Sequence, residues 1–130
     1  MGPGTRRLLL CIWWLDLAFV AATSLLPGRL LMRIGLGPAA VNDKGVHFLA
    51  YASLAVLPVL GIARPRCALA AAASVVLLGL ALEFAQRLVP GRSFEWADFA
   101  ANNLGVLAGA AAGLLVRRLA AAGPAPSQSQ

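Results

Sequence analysis

Charge is scarce in this chain. Of its 130 residues, 12% are Asp, Glu, Lys or Arg, against roughly 25% in an ordinary soluble domain. Histidine and tyrosine occur once each and cysteine twice. A single histidine with no cysteine nearby argues against a catalytic zinc centre, which usually takes three protein ligands rich in histidine. No metal and no other cofactor is expected. Cys11 and Cys67 fall near the cytoplasmic ends of the expected helices, where they stay reduced, so no disulfide is expected. Strand-type alternation of polar and apolar residues is also lacking, which excludes an outer-membrane barrel.

Apolar surface is present in excess. The chain is 60% hydrophobic with mean hydropathy +0.79, more than a soluble domain of this length can bury, so the lipid bilayer is its natural solvent. The net charge of +6 is spread singly or in pairs beside apolar segments, as topology signals are. Nucleic acid, which needs a clustered basic face, is not an expected partner.

Four apolar segments follow in order. The first, Leu8 to Leu26, is 19 residues long and can just cross a core of about 30 Å. Arg6-Arg7 before it and Val20-Ala21-Ala22 within it resemble a cleaved signal peptide, but Asp16 interrupts the apolar run and a retained helix is expected. Pro27-Gly28 ends it. Residues Arg29 to Val41 read either as an amphipathic segment on the membrane surface or as a loop. Asn42-Asp43 is a helix start, and the second helix runs from about Lys44 to Ile62 with Pro58 inside it. The third, Cys67 to Val89, stops at Pro90-Gly91. The turn to Trp96 is short, so the third and fourth helices are expected to be antiparallel neighbours. The fourth spans about Ala97 to Val116. Gly105, Gly109 and Gly113 repeat every four residues along it, a ridge suited to close helix packing, including that of a homodimer. The expected fold is therefore all-α: a single domain over residues 1–119, an integral membrane bundle of four transmembrane helices with short connections, then a disordered tail over 120–130.

Both termini lie on one side of a four-span bundle. That side carries Arg6, Arg7, Arg64, Arg66, Arg117 and Arg118 and no acid, so the positive-inside bias places the termini in the cytoplasm and the protein in the inner membrane. The polar residues gather at the opposite end. Asp43, Lys44, His47, Tyr51, Glu83, Gln86, Arg92, Asp98 and Asn102 all fall in one leaflet, because the second and fourth helices begin where the third ends. A carboxylate at membrane depth is costly unless it faces protein or water. These nine residues are the expected polar site.

Two stretches carry a resemblance. Asp43-Lys44-Gly45-Val46-His47-Phe48-Leu49-Ala50-Tyr51 is one. The other runs Glu83, Gln86, Pro90-Gly91-Arg92, Asp98, Asn102, Gly105. Together they resemble the VanZ-like family of bacterial integral membrane proteins. The resemblance implies a multi-helix protein of the bacterial cell envelope. The family's founding association is antibiotic resistance, to the lipid-tailed glycopeptide teicoplanin, and no reaction or catalytic role is assigned to the motif positions.

Three readings of the chemistry stay open. The pocket could bind the head group of a lipid, a cell-wall precursor or a lipoglycopeptide, with Arg92 forking onto a carboxylate or phosphate. It could be an enzyme, with His47 as general base and Glu83 and Asp98 as acid–base partners. Or the polar side chains only satisfy one another, Glu83 with Arg92 or Lys44 and His47 with Asp98, Asn102 bonding across helices.

Overall fold

The computed structural model describes residues 1–35 and 43–122. The cap at Asn42, the last part of the Arg29 to Val41 segment and the tail from residue 123 lie outside the described residues. Five helices follow one another: α1 (Pro3–Ser24), α2 (Gly28–Arg33), α3 (Asp43–Gly61), α4 (Pro65–Gln86) and α5 (Trp96–Ala122). Four of them, all but α2, are long and apolar enough to cross a membrane. No strand occurs among the described residues.

Local chemistry sets the boundaries. Proline sits in the first turn of α1 and of α4, where its missing N–H costs nothing. The short α2 fills part of the segment that left surface helix and loop open. At the far end, α5 runs past the position expected for its stop and carries residues 120–122 in helix. Arg117 explains the extension. Its guanidinium donates to the carbonyls of Val59, Ile62 and Ala63 at 2.7–2.8 Å, satisfying acceptors that the end of α3 leaves open.

The outer faces are apolar. Trp14, Leu15, Phe19, Leu49, Leu77 and Leu107 are all exposed, as expected of side chains whose solvent is hydrocarbon. Phe84, Phe94, Trp96 and Phe99 form a chain of ring contacts at the α4–α5 turn, with Arg87 5.2 Å over the Phe84 ring. Such a belt suits the water–lipid boundary.

Packing inside the bundle centres on α3. It touches α1, α4 and α5, and its contact with α5 is the most extensive. The expected α4–α5 pairing is present but smaller. The reason is the glycine ridge. Gly105, Gly109 and Gly113 are buried and lie against Phe48, Ala52 and Val59 of α3. A Cβ on Gly105 would collide with the Phe48 carbonyl and one on Gly109 with the Ala52 carbonyl; on Gly113 it would lie 2.7 Å from Val59 Cγ1. Both helices start at the same end of the bundle, so they run side by side in parallel, backbone against backbone. Hydrophobic transfer contributes little between helices already in lipid, and van der Waals contact of this kind is what holds them.

The obstacle differs along the ridge, backbone at Gly109 and a side chain at Gly113. Gly109→Ala should therefore destabilise the protein by about 1–3 kcal/mol, the usual cost of overpacking, and Gly113→Ala by less. Equilibrium unfolding in mixed micelles, followed by tryptophan fluorescence, measures both; equal and negligible effects would contradict the close contact.

Candidate functional site

The parallel contact of α3 with α5 aligns their first turns. Lys44 Nζ bonds Asp98 Oδ1 and also Glu95 Oε2 at 2.8 Å, and lies 3.8 Å from Asp43 Oδ2. One ammonium thus faces three carboxylates at the start of two helices, where acids also suit the helix dipole. The bonded Lys44 holds the Glu95 carboxyl below its usual range.

One turn deeper, His47 of α3 meets Asn102 of α5, with Nδ1 3.0 Å from Asn102 Oδ1. Asn102 Nδ2 donates to Glu83 Oε1 of α4 at 3.3 Å. Because Glu83 offers only acceptors when ionised, the amide nitrogen of Asn102 turns toward it and the amide oxygen toward His47. Nδ1 must then carry the hydrogen. His47 Nε2 then lies 3.8 Å from Asp43 Oδ1 and 3.9 Å from Asp98 Oδ2. Glu83 and Asn102 are each 2% exposed, and Glu83 Oε2 has no hydrogen-bond partner. The carboxyl therefore points into the bundle and away from lipid.

Three acceptor atoms, from Asp43, His47 and Asp98, lie close enough together for a metal ion. The Lys44 ammonium is bonded to one of these carboxylates and within 4 Å of a second, so it offsets part of the negative charge that a cation would meet there.

A second region opens on the other side of α3. A cavity of about 150 Å³ lies between α1, α2, α3 and the α4–α5 turn. Its polar lining includes Asp43, His47, Tyr51 and Arg92, and its apolar lining includes Phe19, Val20, Leu31, Val46 and Ala50. Arg92 reaches it because the turn is pinned beneath α2. Gly91 is left-handed at φ 75°, and a Cβ on Gly28 would lie 2.9 Å from the Gly91 carbonyl oxygen, so both positions favour glycine. Among the described residues no carboxylate lies within ion-pair distance of Arg92. Tyr51 is buried with its ring against Gly79 of α4.

The nine expected site residues therefore divide. Lys44, Glu83, Asp98 and Asn102 form the network between α3, α4 and α5. Tyr51 and Arg92 face the cavity, and Asp43 and His47 belong to both. Gln86 belongs to neither, since its amide donates to the Ser24 carbonyl at 3.2 Å and ties α4 to the end of α1. The pairing of Glu83 with Arg92 or Lys44 does not occur. Lys44 is drawn to the shallower acids, and Asn102 fills the space beside Glu83. Glu95 was missed as a site residue. Its place three residues before Asp98 was the available signal, because that spacing puts both acids beside one lysine.

The sequence matches the family model described as VanZ/LLP1 over residues 9–117. Nothing matches it among curated proteins or among solved structures.

Two outcomes follow from the network. Asn102→Leu leaves Glu83 and His47 without their buried partner and should cost about 1–3 kcal/mol, whereas Glu83→Gln keeps an acceptor for Asn102 and should cost less; micellar unfolding ranks the two. Glu95 has a depressed folded-state pKa, so its contribution to stability is present above the ordinary glutamate range and lost as the pH falls through the folded value. The contribution is small because the side chain is half exposed. Glu95→Gln should flatten the acid limb of the stability profile slightly and leave neutral pH almost unchanged.

Proposed function

The chain belongs to the VanZ/LLP1 family of membrane proteins, and on that footing we propose that it binds the anionic head of an amphiphile in the cavity beside His47. The ligand class is a lipid, a lipid-linked cell-wall precursor or a lipoglycopeptide. One observation carries the reading. Arg92 lines a cavity that carries both polar and apolar side chains and has no carboxylate within ion-pair distance among the described residues, while Lys44 at the same end is bonded to Glu95 and Asp98. A guanidinium without a close ion pair at the membrane surface fits a phosphate or carboxylate through two parallel hydrogen bonds. Asp43 and His47 opposite it complete a mixed-sign cradle for a head group with its own donors.

The leaflet follows from charge. Arg6, Arg7, Arg64, Arg66, Arg117 and Arg118 cluster at the other end of the bundle, which the positive-inside bias assigns to the cytoplasm. The cavity then opens at the extracytoplasmic leaflet, where cell-wall precursors and glycopeptides meet the membrane.

Acid–base catalysis is a second reading, favoured by the Glu83–Asn102–His47 chain, which orients the imidazole with Nε2 toward Asp43 and Asp98. Under it, His47→Gln keeps ligand bound and stops turnover.

Native mass spectrometry of the purified protein with palmitoyl lysophosphatidic acid tests the binding reading. Arg92→Ala should lose most retention and Arg92→Lys a large part of it, with folding unchanged and neutral monopalmitin unaffected. Equal retention by all three proteins would reject the proposal.

A further inference from the structure

The cavity adjoins a second opening through Phe19. A shallow groove continues along the seam between α1 and α3, lined among others by Ile12, Asp16, Phe19, Ser53 and Leu57. Phe19 lines both the cavity and the groove. On α3, Val46 and Ala50 of the cavity and Ser53 and Leu57 of the groove follow at helical spacings of four, three and four, so they form one stripe. On α1, Thr23, Phe19, Asp16 and Ile12 do the same. The two openings are the shallow and deep parts of a single helix–helix seam. From Phe19 to Ile12 it extends roughly 10 Å along the axis at about 1.5 Å per residue.

Asp16 is the unexpected residue in this seam. It lies about 12 Å below the Ser24 end of α1 at that rise, inside the hydrocarbon. Its Oδ2 accepts the Ser53 hydroxyl at 2.6 Å, so the groove's polar pair is joined across its floor. The remaining walls are apolar side chains. A carboxylate at this depth is expensive when open to mobile lipid and is normally kept facing protein or a site. Material that stays in the seam would cover it.

We infer that the seam holds the hydrocarbon chain of the same molecule whose head enters the cavity. The ligand is then an amphiphile recognised at both ends, an anionic head at Arg92 and a long acyl or prenyl chain laid past Phe19 toward Leu57 and Ile12. This rests on the head-binding reading above, and the test keeps the two apart.

The test compares hexanoyl with palmitoyl lysophosphatidic acid on the full chain in micelles, read by native mass spectrometry. Leu57→Trp and Ile12→Trp each fill the deep groove. Leu77→Trp places the same bulk on the exposed face of α4, where Leu77 is 69% exposed, and serves as control. Comparing proteins at one chain length cancels the ligand's partitioning into detergent. Each groove variant should lower palmitoyl retention by roughly tenfold, the equivalent of about 1.4 kcal/mol, and leave hexanoyl retention as in the unsubstituted protein; Leu77→Trp should change neither. Two groove variants guard against one failing to fold. Unchanged palmitoyl retention in both folded variants, with Arg92→Ala still deleterious, overturns the chain site alone. Equal losses for both chain lengths also overturn it. Failure of the unsubstituted protein to retain either ligand overturns the head reading and this one with it.

Discussion

The contact on which the structure depends is the parallel approach of α3 to α5 along Gly105, Gly109 and Gly113. Without side chains there, the α5 backbone can lie directly on the carbonyls of Phe48 and Ala52. At that separation polar side chains meet across the seam, Lys44 with Asp98 and the shorter His47 with Asn102. A wider spacing would leave Asn102 unable to bridge to both His47 and Glu83. The small residues and the polar residues of the fourth span are therefore parts of one arrangement. The ridge, which the sequence also left open to a homodimer, packs against α3 within the chain.

Electrostatics then explains how so many acids share one membrane end. Asp43, Glu95 and Asp98 surround a single ammonium, Lys44, which makes the cluster tolerable. Glu83 lies deeper and receives no cation. It is held by an amide, and one of its oxygens has no partner at all. The cavity is lined by both His47 and Arg92, and among the described residues no carboxylate lies within ion-pair distance of the Arg92 guanidinium. On the proposed reading these two face the ligand, and the remaining polar groups hold them in position.

Much of this was legible in the sequence. Four spans, their order and the gathering of polar residues at one end follow from segment lengths and from the two Pro-Gly breaks. The inward aspect of Glu83 follows from the cost of a carboxylate in lipid. Partner choice was less legible. Lys44 could reach several acids, and its selection of Asp98 and Glu95 depends on the relative depth of α3 and α5, which their glycine contact sets. The division of the site by α3 depends on α2 and the Gly28–Gly91 approach, and nothing in a linear spacing shows that Arg92 turns toward α1. Arg117 read as a topology marker at a helix end, but the open carbonyls of α3 draw α5 onward past it.

His47 is the only histidine of the chain, so a nitrogen spectrum of labelled protein in bilayers contains a single imidazole. The account predicts a hydrogen on Nδ1, coupled through its bond to the Asn102 carbonyl, and loss of that signature in Gly109→Val, where α5 is forced off α3. An imidazole protonated at Nε2 with Nδ1 bare, or a spectrum unchanged by Gly109→Val, would contradict it.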